Sequence, residues 1–202
     1  RVPGGISYLQ FVFPGMLAMA IIFTSLQSAI SIIFDREFGF LKEILVAPIP
    51  RTSVVLGKAL AGALIATLQG TIIFIFAPFA GVYPTPQALL ACIGVMLIIG
   101  LGLTGVGILI ASRMTSFEGF GTINNFIVLP LYFTSAAQFP LNRAPHWMKL
   151  VVHVNPLAYA VDLMRGLLVG VWTYNAALDL AVLLGFGTVV LGLATLSFSR
   201  QE

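Results

Sequence analysis

The stretch "ALAGALIATLQGTIIFIFAPFAGVYPTPQALLACIGVMLIIGLGLTGVGILIAS", residues 59–112, contains no Asp, Glu, Lys or Arg. A helix needs about 20 mainly apolar residues to cross a bilayer, so this run is long enough for two crossings. The segment "VYPTP" (82–86) divides it, because Pro84 and Pro86 cannot continue a helix. Three further runs are equally free of charge, at 2–34, 119–142 and 180–199. Five spans follow, at about 9–34, 59–81, 87–112, 117–137 and 178–198. The fold class this predicts is all-α, a polytopic membrane helical bundle in one domain over residues 1–202.

Composition agrees. Hydrophobic residues make up 59% of the chain and charged residues 8%, where a soluble domain carries about 25% charged residues. Mean hydropathy is +1.04. The runs are continuously apolar rather than alternating, which argues against a β-barrel. A net charge of +3 is what the Lys- and Arg-bearing cytoplasmic loops of a membrane protein supply, so it does not point to nucleic acid. The single cysteine, Cys92, lies inside the third span and reads as a packed thiol. No basic start precedes a short apolar core, so no signal peptide is expected, and the start at Arg1 reads as a start within a longer protein.

Orientation comes from the loops. Arg36, Lys42, Arg51 and Lys58 follow the first span, Arg113 lies between the third and fourth, and Arg200 is near the end. Positive loops stay inside, which places loops 35–58 and 113–118 and the C-terminus in the cytoplasm, with the chain in a cell (inner) membrane. The connection 138–177 carries Arg143, Lys149 and Arg165 on the outer side, but it carries acid too and is long.

One loop is unusual. "FDREFGFLKEILVAPIPR" (34–51) packs Asp35, Arg36, Glu37, Lys42 and Glu43 together. At roughly 3 kcal/mol per charge at mid-membrane it does not span. Phe34, Phe38, Leu41 and Leu45 recur at helical spacing, Asp35 and Glu37 fall in the favoured first turn, and Pro48 and Pro50 end the pattern. The expectation is an amphipathic helix over about 35–47, lying along the cytoplasmic face. Its other ridge, Arg36, Phe40 and Glu43, suits docking of a soluble partner. The residues alone leave open a helix that rests on lipid headgroups.

This stretch and its sequel, "FDREFGFLKEILVAPIPRTSVVLGK" (34–58), resemble the first cytoplasmic loop of ABC-2 type transporter permeases. The resemblance lies in Arg36-Glu37, Gly39, Leu41 to Leu45, Ala47 to Arg51 and Gly57-Lys58. A second segment, "QFPLNRAPHWMKLVVHVNPLAYAVDLMRGLLVG" (138–170), is similar to the region before the last span in drug-exporter-like members. The resemblance implies six spans, of which the first is lacking here, and a complex of two permeases (a homodimer or heterodimer) with two separate ATPase subunits. It also implies that Arg36, Glu37, Phe40 and Glu43 couple to the ATPase, which would hold the ATP and Mg. This chain itself is expected to bind no cofactor.

Read from its residues, segment 138–170 is two short helices. Pro145 can open the first, and Asn155-Pro156 is a cap followed by proline at the first position of the second. Lys149 and Asp162 leave too few uncharged residues between them to span. A hairpin re-entering the outer leaflet is therefore expected. Asp162 and Arg165, at i and i+3, are expected to pair with each other. His146 and His153 are too few for a metal site.

No catalytic or phosphate-binding motif occurs: Gly57-Lys58 is followed by Ala59, without the glycine a P-loop needs. A transport subunit rather than an enzyme is expected. The spans hold no central charge, against proton or ion coupling. Thr24, Gln27, Ser28 and Ser31 share one face of the first span; Thr67, Gln69 and Thr71 mark the second, and Asn124 and Asn125 the fourth. Such residues serve as helix–helix glue or line a route for amphipathic, drug- or lipid-like compounds. Alternatives are a polysaccharide or oligosaccharide exporter permease, and a channel-like or assembly protein without an ATPase. Trp147 and Trp172 fit an interfacial belt.

Overall fold

The apolar runs fold into helices whose starts are set by short local caps. The computed structural model describes residues 5–39, 50–114, 116–141 and 144–199. Ser7 opens α1 (Tyr8–Ser28) with a capping box: its hydroxyl accepts from the Gln10 N–H, and the Gln10 side chain returns to the Ser7 N–H. A break at Ala29 leads into α2 (Ile30–Glu37). Pro50 precedes α3 (Arg51–Ile73), which tightens into a 3-10 turn over Phe74–Ala80 and stops at Gly81 with φ 73°. The Thr85 hydroxyl caps α4 (Pro86–Ala111), and the Ser116 hydroxyl caps α5 (Phe117–Phe133). Then come α6 (His146–Val154), α7 (Pro156–Val169) and α8 (Ala176–Ser199).

Among the described residues four helical stretches are long and apolar enough to cross a membrane: Tyr8–Glu37, Arg51–Ala80, Pro86–Ala111 and Ala176–Phe198. The fourth expected span is the exception. α5 has 17 residues, about 25 Å at 1.5 Å per residue, shorter than the ~30 Å hydrocarbon core. Phe117 at its start lies against the Phe34 ring, and Ala137 in the turn after its end lies against Gly15 within α1.

The central helix is α4, which packs against α1, α3, α7 and α8. Apolar burial gives little drive between helices in lipid, so close approach of small residues matters more. A Cβ at Gly107 would lie 2.8 Å from the Leu26 carbonyl oxygen, and one at Gly102 2.7 Å from the Phe186 ring. Around this seam Ile21, Ile22, Cys92, Met96, Ile99 and Leu103 are fully buried.

Two boundaries differ from expectation for one electrostatic reason. Helix α3 starts at Arg51, eight residues before the expected 59, and so contains Lys58. Asp35, Arg36 and Glu37 close α2 instead of opening a new helix. The Lys58 ammonium lies 2.6 Å from the Asp35 carboxylate and also donates to Ser31 Oγ at 3.3 Å. With its charge answered across the helix pair, Lys58 need not lie in a loop. Gly39, at φ 82°, ends the described part of this stretch. Most of the expected 35–47 helix, with Phe40, Leu41, Lys42, Glu43 and Leu45, lies outside the described residues.

Candidate functional site: a polar cleft between three helices

Helical periodicity brings Thr24, Gln27 and Ser28 of α1 to one face, at i, i+3 and i+4. They meet Asn124 and Asn125 of α5, with Gly121 one turn earlier and Ile65 of α3 on the flank, around an open cleft of about 540 Å³. Asn124 Nδ2 donates to Gln27 Oε1 at 3.4 Å, and the Thr24 hydroxyl bonds Gln69 Oε1 of α3. Asn124 is buried, yet its Oδ1 accepts no hydrogen bond among the described residues. Outside the cleft lining, Ser25 Oγ and Thr104 Oγ1 are also buried without a hydrogen bond among the described residues. Such groups cost free energy unless a partner arrives. The cleft wall therefore carries amides and hydroxyls without formal charge, and Asn124 keeps spare acceptor capacity beside it.

Not every expected pathway residue joins it. Ser31, a turn beyond Ser28, accepts from Lys58 instead. Thr67 and Thr71 bond carbonyls of their own helix, those of Ala63 and Thr67, at 2.7 Å each.

The two ends of the bundle hold its charges. At one end, called here the charged end, Asp35 pairs with Lys58, and the Arg36 guanidinium donates to the carbonyls of Ser112 (3.0 Å) and Met114 (2.5 Å) in the α4–α5 turn. Ser112 Oγ lies 3.0 Å from Ser197 Oγ, which ties in α8. At the other, hairpin end, α6 and α7 pack beneath the 134–141 turn. Asn155 Oδ1 accepts from the Leu157 N–H at 2.9 Å with Pro156 at the first helical position, while Asn155 Nδ2 donates to the Leu131 carbonyl at 2.6 Å. Pro145 caps α6 one position earlier than expected, leaving His146 as its first residue.

Asp162 and Arg165 do not pair with each other, contrary to expectation. Both Asp162 oxygens accept from the Thr173 N–H, and one also from the Tyr174 N–H, at 2.9–3.0 Å. Arg165 donates to the carbonyls of Ala136 (3.0 Å), Ala137 (3.4 Å) and Phe11 (3.4 Å), and stacks 3.9 Å over the Phe11 ring. Buried turns must satisfy their own backbone groups, and these two side chains serve the turns on either side of α7. Tyr174 stacks on Tyr159, and burial, then the Tyr159 phenol, then the Asp162 and Asp179 carboxylates push its phenol up to about 12, so it remains an O–H donor.

The profile of the ABC-2 type transporter family matches residues 2–169. The chain belongs to this family. Among its relatives, a putative transport permease ycf38 of Cyanophora paradoxa is 33% identical over 161 residues, covering 79% of this chain and 56% of its own length. The probable multidrug ABC transporter permease YbhR of Escherichia coli K12 is 28% identical over 177 residues, 87% of this chain and 47% of its own length. Nodulation protein J of Rhizobium meliloti is 27% identical over 199 residues, 98% of this chain and 76% of its own length. The chain spans between 47% and 64% of the first few relatives it matches.

In this ABC-2 chain, sequence reasoning missed three features of the site. The Asp35–Lys58 pair was hidden because the partners belong to different helices, 23 residues apart. The role of Ser112 and Met114 was invisible because they present backbone carbonyls. Asp179, in the first turn of α8, was not singled out; it is fully buried, with neither oxygen hydrogen-bonded among the described residues.

Proposed function

We propose that this chain is part of the permease subunit of an ATP-driven exporter that moves amphipathic, drug- or lipid-like compounds out of the cytoplasm. The observation that carries this reading is the uncharged polar cleft between α1, α3 and α5, where Thr24, Gln27, Asn124 and Asn125 meet apolar Phe23 and Ile65. Scattered amides and hydroxyls on an apolar wall recognise a molecule with a greasy body and a few polar atoms, and give no strong ion site.

In this reading the chain crosses the inner membrane five times, with α5 as the short crossing. The charged end and the C-terminus are cytoplasmic, and α6–α7 re-enters from outside. A separate ATPase holds ATP and Mg and pushes on segment 35–47, and two permeases assemble per complex. Glu37, Phe40 and Glu43 would touch the ATPase. Arg36 would transmit the push, because its guanidinium already grips the α4–α5 turn, the entry to the helix that carries Asn124.

The test is transport. The full-length permease and its ATPase, reconstituted in vesicles, should move a neutral amphipathic dye in an ATP-dependent way. Asn124→Leu and Gln27→Leu should lower that rate several-fold while ATPase binding is unchanged. Wild-type transport by both variants overturns the assignment of the cleft.

A further inference from the structure

A second cavity, of about 280 Å³, lies at the hairpin end. Its walls come mainly from the 135–141 turn, α7 and the 171–174 strap, and its polar residues are Ser135, Asp162, Arg165, Thr173 and Tyr174. It is separate from the cleft, with no lining residue in common.

Arg165 is unusual here. It is 3% exposed and forms no ion pair with Asp162, the other buried charge on the cavity wall. A guanidinium has five N–H groups and keeps its charge in a protein. The hydrogen bonds of Arg165 use Nε, to Phe11, and Nη2, to Ala136 and Ala137. Nη1 brings two more N–H groups with no acceptor among the described residues. Asp162 acts on this charge through space but makes no contact with it, and three backbone N–H bonds from Thr173 and Tyr174 occupy its oxygens. The Nη1 donors are thus open to an acceptor that enters the cavity, whose wall holds this nearly buried cation. Guanidinium donors favour oxyanions, above all phosphate and carboxylate.

The cavity's size and rim narrow the ligand. A volume of 280 Å³ suits a headgroup rather than a whole drug-sized molecule, for which pockets run from about 300 to 1,000 Å³. Trp172 is 44% exposed and lies on the lining beside Val171, and a half-exposed indole suits the boundary between an apolar and a polar medium.

We propose that this cavity binds a phosphate or phosphodiester group, held by the free Nη1 donors of Arg165. The group belongs either to an amphiphile's headgroup or to a free phosphate. The site is independent of the transport reading, since occupancy is measured without turnover.

The experiment uses the full-length permease by itself, purified in an uncharged maltoside detergent. Calorimetric titration and thermal unfolding are followed with dihexanoyl phosphatidic acid, with inorganic phosphate, and with dihexanoyl glycerol as the uncharged control. Saturable binding of the phosphatidic acid but not of the glycerol is expected. Binding of inorganic phosphate as well assigns the site to free phosphate; binding of the phosphatidic acid alone assigns it to a headgroup. Arg165→Lys keeps the charge but loses the fork and should weaken binding. Because that change also disturbs the bonds to Phe11, Ala136 and Ala137, Val171→Trp is the second variant. It fills the cavity from the strap, leaves those bonds in place and should abolish binding. Failure of both phosphate probes to bind, or undiminished binding to Val171→Trp, overturns the proposal.

Discussion

The two ends of the bundle manage charge in opposite ways. At the charged end, Asp35 and Lys58 answer each other across two helices, and both remain about one-fifth exposed. At the hairpin end, Asp162 and Arg165 are buried within one helix, form no contact pair, and bind backbone groups of the turns nearby. A side-chain pair between helices forms and breaks at low cost. A buried charge that satisfies several backbone groups is expensive to disturb, because every lost bond leaves an orphan. The first arrangement suits an end that moves, as the proposed push of an ATPase would require. The second suits one that must hold its shape against the membrane.

The sharpest way to break this contrast is at Asp162. Asp162→Ala leaves the Thr173 and Tyr174 N–H groups without their acceptor, and a cost of about 3 kcal/mol is expected. Thermal unfolding in detergent should show a large drop in midpoint; a wild-type midpoint would remove the idea that the hairpin end is locked. Next in size is Gly107→Ala in the seam beside both ends. Its Cβ would lie 2.8 Å from the Leu26 carbonyl oxygen, which requires α1 and α4 to separate at a cost of about 1–3 kcal/mol. The same unfolding assay reads it, and no change would mean the seam is looser than drawn.

Smaller effects belong to the charged end. Asp35→Asn and Lys58→Met should each cost less than about 1 kcal/mol, and a double-mutant cycle should return a coupling of about 0.5 kcal/mol. A coupling as large as the Asp162 effect would erase the difference between the ends. The smallest effect is expected for Asp179→Asn. Its carboxylate is buried without hydrogen bonds among the described residues, so a neutral isostere loses no hydrogen bond there and avoids burying a charge. The midpoint should stay or rise slightly; a fall like that of Asp162→Ala would mean that Asp179 also holds a turn.

Much of the fold was legible because lipid-spanning helices announce themselves locally. The 59–112 run became α3, its 3-10 extension and α4, and "VYPTP" marked the turn between them. Asn155-Pro156 announced the start of α7 through a bond spanning only two residues. The cleft was partly legible for the same reason: Thr24, Gln27 and Ser28 share a face by periodicity alone, and Asn124 and Asn125 stood out in an apolar run. What periodicity could not supply was which helix faces which. Gln69 was singled out in the second span, but its partner Thr24 is 45 residues away. Ser31, expected on the same face as the cleft residues, lies past the break at Ala29 in α2 and is taken by Lys58 instead.

The sequence by itself determined the class, the helical segments and their approximate limits, because hydropathy, proline and caps act over a few residues. Only the tertiary structure decided the fate of the charges and of the polar side chains. Lys58 entered a helix because Asp35 met it, Asp162 and Arg165 chose backbone over each other, and Asn124 met Gln27 with one oxygen left unpaired. Those outcomes depend on groups brought together across tens of residues. In an apolar interior each polar group must find whatever partner the packing places beside it, and packing is a property of the whole bundle.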